Sequence, residues 1–175
     1  MYYGNIKNND IANGIGIRVS LFVSGCTNRC KNCFQPETWD FCYGNPFTEK
    51  IENQILDMLA PDHINGLTLL GGEPFEPQNQ ETLLSFVQKV KQKYPNKSIW
   101  CFSGFTYEEL IDNNSYPNCN CTLPLLSLID VLVDGRYVEE QRNLTLRFRG
   151  SENQRIINLT QTLKENKIVI WNETN

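Results

Sequence analysis

Short apolar runs alternate with longer stretches of helical periodicity, and this alternation constrains the fold more than any other feature of the sequence. The runs are rich in β-branched, aliphatic and aromatic residues, which is typical of strands, and they lie at residues 17–23, 67–70, 98–102 and 131–133. Strand, helix, strand units pack with right-handed crossovers, so the pattern predicts an α/β fold with a mostly parallel sheet. A closed eightfold barrel needs roughly 250 residues, and the chain has 175. We therefore expect an open partial (β/α) barrel.

Four segments carry helix signals. Thr48 can cap a helix that ends before Pro61, and its apolar residues share one face: Ile51, Ile55, Met58 and Leu59. A longer amphipathic stripe covers residues 83–94 and stops at Pro95. Thr106 and Ser151 each begin a capping-box pattern, with Glu or Gln three residues later. These two patterns predict a helix that begins after Thr106 and another over residues 155–163.

Composition narrows the class of protein. The chain is 40% hydrophobic and 11% aromatic, which is enough apolar mass for one globular domain over residues 1–175. Its net charge of −4 argues against a general nucleic-acid surface, which needs a cationic footprint. No apolar run approaches the roughly 18 to 20 residues of a membrane span, and no secretory leader pattern is present. We expect a cytoplasmic protein that binds neither nucleic acid nor membrane.

Three cysteines directly after the first predicted strand have the spacing CxxxCxxC: Cys26, Cys30 and Cys33. A cubic iron–sulfur cluster that only carries electrons normally receives four thiolates, whereas this run supplies three. An open metal position is where a small molecule can bind. Zinc sites usually pair CxxC with a second CxxC or with spaced histidines, and the chain has a single histidine, His63. The spacing therefore favours an iron–sulfur cluster with one open iron.

The other four cysteines have weaker signals. Disulfides are typical of secreted proteins, and the sequence gives no sign of secretion. Cys101 lies in an apolar run, where the simplest interpretation is a buried small hydrophobe. Cys119 and Cys121 flank one residue of a polar loop and can be interpreted as half of a second metal site or as loop thiols. We favour loop thiols for both and for Cys42.

Small or polar motifs follow each predicted strand. The cysteine run follows the first strand, and the motifs after the other three are 71–74 (Gly-Gly-Glu-Pro), 103–105 (Ser-Gly-Phe) and 134–136 (Asp-Gly-Arg). Gly71-Gly72 alone is more often a turn than a site, although glycines also let a backbone approach a ligand closely. Ligands bind at the carboxyl ends of parallel strands. The four motifs together therefore predict a binding site at this edge of the sheet.

The cysteine spacing and the Gly-Gly-Glu-Pro motif together resemble the radical S-adenosylmethionine superfamily. More narrowly, the chain resembles the glycyl radical activating enzymes that act on anaerobic ribonucleoside-triphosphate reductases. The motifs that carry this narrower resemblance lie at residues 130–137, 146–151 and 153–155. The resemblance covers almost the whole chain.

The resemblance implies a cofactor set and a reaction. Cys26, Cys30 and Cys33 would hold a [4Fe-4S] cluster, and S-adenosyl-L-methionine would chelate the open iron. Cleavage of its sulfonium would give methionine and a 5′-deoxyadenosyl radical, which abstracts hydrogen from a glycine of the partner reductase. The cofactor-binding residues implied in addition to Cys33 are Asn32, Phe34, Gly71, Gly72, Glu73 and Pro74. Glu73 would accept from the ammonium group, and Phe34 would lie against adenine.

The implied partners are the large subunit of the reductase and a reduced flavodoxin-like electron donor. Five of the seven arginines lie in twenty residues: Arg136, Arg142, Arg147, Arg149 and Arg155. They can be interpreted as a solvated face or as a docking surface for an acidic partner. Two other functions remain open at this point, a radical enzyme that acts on a small molecule and an iron–sulfur electron carrier.

Overall fold

The computed structural model of this protein describes residues 1–172. Seven strands in this part of the chain form one sheet, and they are β1 (Tyr2–Asp10), β2 (Ile17–Val23), β3 (Asn45–Pro46), β4 (Ile64–Gly71), β5 (Ser98–Phe102), β6 (Val131–Asp134) and β7 (Arg155–Asn158). Their order across the sheet is β3-β1-β2-β4-β5-β6-β7. The four central strands, β2, β4, β5 and β6, are parallel. The predicted α/β class and open sheet are confirmed, and each predicted strand is present.

Five α-helices connect or flank the strands within the described residues: α1 (Glu49–Leu59), α2 (Pro77–Lys93), α3 (Tyr107–Ile111), α4 (Thr122–Leu126) and α5 (Leu159–Glu165). Two short 3-10 helices lie at Pro36–Trp39 and Glu139–Gln141. Alternate strand residues point to the helical side of the sheet, as the two-residue period of a strand requires. The strand residues buried on this side are Val19, Leu21, Leu67, Leu69, Ile99, Cys101 and Leu132. The apolar stripes of α1 and α2 complete this core with Ile55, Leu59, Leu83, Phe86, Val87 and Val90.

The opposite face of the sheet holds a smaller aromatic cluster and one buried arginine. The Trp100 ring meets the rings of Phe148 and Trp171 edge-on, each with 5.3 Å between centroids. The Arg18 guanidinium is buried beside it and donates to Thr68 Oγ1 at 2.7 Å and to the Ser98 carbonyl at 2.8 Å. Burial lowers the pKa of Arg18 to about 10. These side chains fill part of this face of the sheet.

Three of the four predicted helix signals are confirmed. Thr48 occupies the N-cap position of α1, although its side chain makes no capping hydrogen bond. Helix α2 begins at Pro77, earlier than the apolar stripe indicated, and its C-cap residue is Tyr94. Thr106 forms the predicted capping box before α3, in which Glu109 N donates to Thr106 Oγ1 at 3.2 Å and Thr106 N donates to Glu109 Oε2 at 2.8 Å.

The helix predicted over residues 155–163 is wrong in its first half. Residues Arg155–Asn158 form β7, which pairs antiparallel with β6. Ser151 caps no helix, because its Oγ instead accepts from Val138 N at 3.2 Å. Asn158 is the true cap of α5 and accepts from Gln161 N at 3.0 Å. The strand prevails because Ile156 and Ile157 alternate between the aromatic cluster and the main core.

Strands β1 and β3 were not expected from the sequence. β1 is polar along most of its length and half exposed, and it pairs antiparallel with β2. Tyr2 and Tyr3 pair in turn with Pro46 and Asn45 of β3. None of the helices in residues 1–172 is long and apolar enough to cross a membrane.

Candidate functional site

One cavity of about 820 Å³ lies at the carboxyl ends of the parallel strands. The segments after β2, β4, β5 and β6 all contribute to its wall, as the sequence predicted. From these segments come Cys26, Cys30, Cys33, Gly71, Gly72, Glu73, Ser103, Gly104 and Gly135. Residues 137–154, which we name the rim segment, supply much of the remaining wall.

The cysteine loop, residues 26–33, crosses one side of this cavity. Cys26 is buried and Cys30 and Cys33 are half-buried. Arg29 and Asn32 have left-handed backbone conformations, with φ of 44° and 56°, so the loop turns sharply between its cysteines. Among residues 1–172, no three histidine, cysteine, aspartate or glutamate side chains converge on a single metal ion. A cubic cluster spreads its ligands over separate irons, so its thiols need not converge in that way.

Burial controls the acidity of the thiols. Burial, together with the nearby Glu73 carboxylate, raises the pKa of Cys26 to about 11, and backbone N–H groups of Asn28 and Arg29 oppose this rise. The pKa of Cys30 is raised by burial too, although a backbone N–H of Tyr137 opposes the rise. Thiols of this kind are protonated near neutral pH, so metal binding has to release their protons.

Gly71 and Gly72 bring three backbone segments together. Gly71 has φ of +107°, a conformation that favours glycine. Gly72 N donates to Val23 O at 2.8 Å, and Glu73 N donates to Gly25 O at 2.9 Å. A Cβ atom at Gly72 would lie 2.6 Å from the Gly25 carbonyl oxygen and 3.0 Å from that of Thr38. Glycine at position 72 therefore lets the β4 end pack against the start of the cysteine loop.

The Glu73 carboxylate is fully buried and accepts four hydrogen bonds from the protein. Its Oε1 accepts from Phe75 N at 2.9 Å and from Ser103 Oγ at 2.8 Å. Its Oε2 accepts from Gly104 N at 2.6 Å and from Asn28 Nδ2 at 3.0 Å. Burial raises the pKa of Glu73 to about 7. The carboxylate thus joins the ends of β4 and β5 to the cysteine loop, and its contact with an ammonium group stays a prediction.

The other residues that the resemblance implied as cofactor contacts differ in their exposure to solvent. Asn32 and Phe34 are exposed where they line the cavity, and 98% of Phe34 is accessible to solvent. Pro74 is buried and does not line the cavity, unlike the other predicted cofactor contacts. The contact of Phe34 with adenine stays a prediction.

Two polar groups that the sequence did not single out also belong to residues that line the cavity. Asn28 Oδ1 and Trp39 Nε1 are buried and have no hydrogen-bond partner among the described residues. Buried polar atoms are seldom left unpaired in native proteins. An acceptor and a donor of this kind complement the ammonium and carboxylate groups of an amino acid. No sequence signal distinguished them, because their burial depends on tertiary contacts.

The other four cysteines lie outside the cysteine loop. All seven cysteines are free. Cys101 is fully buried between β4 and β6, and burial raises its pKa well above the ordinary value. Cys119 Sγ donates to Gln80 Oε1 at 3.3 Å, which fastens the loop before α4 to α2. The interpretation of Cys42, Cys119 and Cys121 as loop thiols stays a prediction.

The predicted arginine cluster does not form one uniform surface. Arg155 is held between Asp134 and Glu108, and Arg136 pairs with Glu109 at 2.9 Å. Arg142 and Arg149 line the cavity, and Arg149 also donates to Gln154 O at 2.6 Å. Two of the five arginines therefore hold the fold together, while others border the site.

Comparison with known proteins gives a consistent relationship. The sequence profile of the family described as 4Fe-4S single cluster domain matches residues 12–157. The chain is 42% identical over 163 residues to the anaerobic ribonucleoside-triphosphate reductase-activating protein of Pasteurella multocida, covering 92% of this chain and 99% of that protein. It is 44% identical over 147 residues to the protein of that name from Haemophilus influenzae, covering 83% and 90%. The one from Enterobacteria phage T4 is 37% identical over 158 residues, covering 89% and 93%. The chain therefore belongs to the family of anaerobic ribonucleoside-triphosphate reductase-activating proteins.

Proposed function

We propose that this protein activates an anaerobic ribonucleoside-triphosphate reductase by generating a glycyl radical on its large subunit. Family membership supports this function. The observation that carries it is one cavity that gathers the three cysteines of the CxxxCxxC loop and the Gly71-Gly72-Glu73 turn at the carboxyl ends of the sheet.

The residues of the cavity fit the cofactors that this function requires. Cys26, Cys30 and Cys33 would hold a [4Fe-4S] cluster, and three thiols leave one iron open to a ligand. Gly71, Gly72, Glu73 and Pro74 would bind the methionine end of S-adenosyl-L-methionine, with Asn32 and Phe34 near its nucleoside. The unpaired Asn28 Oδ1 and Trp39 Nε1 support this fit, because both belong to residues of the same cavity.

The chain itself positions the groups around the cofactors. Held by Cys26, Cys30 and Cys33, a reduced cluster would supply the electron for cleavage of the sulfonium, which would lead to hydrogen abstraction from a glycine of the reductase. Gly72 holds the β4 turn close to the cysteine loop. Glu73 fixes the ends of β4 and β5 relative to Asn28. The rim segment forms much of the remaining wall of the cavity.

The partner completes the site. The cavity has an open mouth, and two large apolar side chains of its lining are largely exposed, with 98% of Phe34 and 84% of Leu144 accessible. A glycine backbone of the reductase has to enter through this mouth. The free protein should therefore cleave S-adenosyl-L-methionine slowly, and the reductase should accelerate cleavage and couple it to radical formation.

We further propose that a reduced flavodoxin-like protein donates the electron and that the protein works in the cytoplasm. The free state of all seven cysteines supports a reducing compartment. The net charge of −4 supports partners other than nucleic acid.

The test is anaerobic reconstitution with iron and sulfide, followed by reduction and addition of S-adenosyl-L-methionine with and without the candidate reductase. We expect 5′-deoxyadenosine release together with a glycine-type doublet on the reductase by electron paramagnetic resonance. Cleavage without that doublet would instead identify an enzyme that acts on a small molecule. A reducible cluster with no cleavage would identify an electron carrier.

A further inference from the structure

Glu76 is a buried carboxylate that the proposed reaction does not use. It is the N-cap residue of α2, three residues after Glu73, and its exposed fraction is 0%. Its Oε1 accepts from Thr27 N and from Thr27 Oγ1, each at 2.6 Å. Its Oε2 accepts from Tyr116 Oη at 2.8 Å. These three side-chain hydrogen bonds all reach outside the helix, and two of them reach the cysteine loop.

The contact with Thr27 holds the cysteine loop directly after its first cysteine. Thr27 is itself exposed, so packing does not fix it, and Glu76 receives both its backbone and its side-chain donor. The next residue, Asn28, is held by Glu73 at 3.0 Å. Two buried carboxylates from one turn thus hold two successive residues between Cys26 and Cys30.

The other side of Glu76 is anchored on rigid structure. Its carbonyl oxygen accepts from Asn79 N at 2.8 Å and begins the hydrogen bonding of α2. The Asn79 side chain donates to Ser24 O and to Glu73 O, each at 3.0 Å. The Tyr116 ring packs against Phe105, with 6.2 Å between centroids. Glu76 therefore connects the cysteine loop to a helix that cannot shift without disturbing the end of β2.

We propose that Glu76 is a positioning residue for the metal centre, which fixes the orientation of the cysteine loop and lowers the reduction potential of the cluster through its negative charge. The inference rests on the proposed function. Groups just outside the ligands orient them and tune the metal, and nearby charge and hydrogen bonding set the potential of an iron–sulfur cluster. A buried carboxylate that accepts two donors from the residue after a ligand can do both.

The test compares reconstituted wild-type protein with Glu76→Gln, Glu76→Ala and the control Glu81→Gln. Glu81 is an exposed carboxylate on the same helix, so the control removes the same charge without touching the loop. Three properties are measured on each protein: the midpoint potential, the rate of iron loss to a chelator, and the change in the electron paramagnetic resonance spectrum when S-adenosyl-L-methionine is added.

The two variants separate charge from hydrogen bonding. Glu76→Gln keeps an oxygen acceptor for Thr27, and Tyr116 Oη can accept from the new amide. We expect it to retain iron like the wild type while its potential shifts to a more positive value. Glu76→Ala loses both the negative charge and the hydrogen bonds. We therefore expect it to lose iron about tenfold faster or more, as for other residues that support metal ligands. We also expect an altered spectral response to S-adenosyl-L-methionine.

Wild-type potential, iron retention and spectra in both Glu76 variants would overturn the inference. If Glu76→Ala fails to fold, Thr27→Val decides, because it removes only the exposed hydroxyl donor. That variant should lose iron faster than the wild type, and a wild-type rate would overturn the inference. A wild-type protein that binds no cluster or cleaves no S-adenosyl-L-methionine would instead refute the proposed function.

Discussion

Gly72 is the position where the smallest change should have the largest effect on the site. Gly72→Ala places a Cβ atom 2.6 Å from the Gly25 carbonyl oxygen, and backbone atoms cannot move aside as a flexible side chain can. The β4 turn and the cysteine loop must then separate. We expect the rate of S-adenosyl-L-methionine cleavage to fall by about 10- to 100-fold, measured as 5′-deoxyadenosine release.

Gly150→Ala is the matched control for this prediction. Gly150 lines the same cavity, but the nearest atom to its added Cβ belongs to the Tyr137 ring at 3.1 Å, which can rotate. Its cleavage rate should stay within a few-fold of wild type. Equal losses in the two variants would contradict the role given to Gly72.

Glu73 should make the stability of the apo protein depend on pH. Burial raises its pKa from 4.5 to about 7, so the folded protein binds more protons than the unfolded chain between these pH values. The stabilisation is fully present below about pH 4.5 and is lost as the pH rises through about 7. In Glu73→Gln this group does not titrate, so the stability difference between wild type and variant should shrink from pH 5 to pH 8.

Urea unfolding of both apo proteins at several pH values measures this difference. At pH 5 we expect Glu73→Gln to be less stable by about 1 kcal/mol or more, because its amide NH₂ faces N–H donors. All other ionisable groups are the same in the two proteins, so their contributions to the pH dependence cancel in the difference. A difference that widens as the pH rises would contradict the raised pKa.

The sequence marked Gly72 and Glu73 through a motif, but it did not show what they contact. Asn28 follows β2, and Ser103 and Gly104 follow β5, so the parallel pairing of β4 with both of these strands brings them to the Glu73 carboxylate. Glu76 lies in the same turn as Glu73, and nothing in its local sequence indicates its hydrogen bonds to Thr27.

Among the elements, β7 depends on one arginine. Arg155 donates to Asp134 on β6 through Nε at 3.0 Å and to Glu108 on α3 through Nη1 at 2.9 Å. Arg155→Met keeps the aliphatic stem and leaves the buried Asp134 without its cation. Breaking a fully buried pair costs about 3 to 5 kcal/mol, and Arg155 is 31% exposed, so we expect a loss of about 2 kcal/mol in urea unfolding.

The dependence of stability on acidic pH should test the contact between Arg155 and Glu108. Hydrogen bonds from Arg155 lower the pKa of Glu108 below 4.5, so this stabilisation is present above pH 4.5 and is lost as the pH falls. Arg155→Met should therefore lose less stability on acidification than the wild type does. The control Arg142→Met changes an exposed arginine of the rim segment and should stay within about 0.5 kcal/mol of wild type. Equal losses in both variants would contradict the assignment.

The strand β7 also shows where local pattern fails. Residues 151–154 have the capping-box form, and the same form at Thr106 begins a real helix. At Ser151 the tertiary structure prevails, because the free edge of β6 accepts residues 155–158 and their isoleucines gain burial on both faces. A local signal gives a helix start only when no sheet edge competes for the same residues.

At the scale of the whole molecule, the open mouth of the cavity predicts dependence on the partner. Leu144 is 84% exposed on the rim segment. Leu144→Ser should leave iron content and cluster spectra unchanged and weaken binding to the reductase by about tenfold, the equivalent of 1.4 kcal/mol. Titration of the reductase, with activation as the signal, measures this affinity.

Leu123→Ser provides the control. Leu123 is 52% exposed on α4 and does not line the cavity, so its loss should not change the affinity. If Leu144→Ser binds the reductase like the wild type, the partner does not approach over this part of the rim.

The sequence by itself determined the α/β class, the four parallel strands and the order of motifs along the chain. Strand periodicity and cysteine spacing can be read from short stretches of sequence. The rule of right-handed crossovers then arranges the predicted strands in a parallel sheet. Only the tertiary structure decided that the polar β1 joins the sheet, that residues 155–158 extend it, and that Glu73 and Glu76 hold the cysteine loop. These outcomes depend on hydrogen bonds and burial between residues far apart in the chain, which no local pattern records.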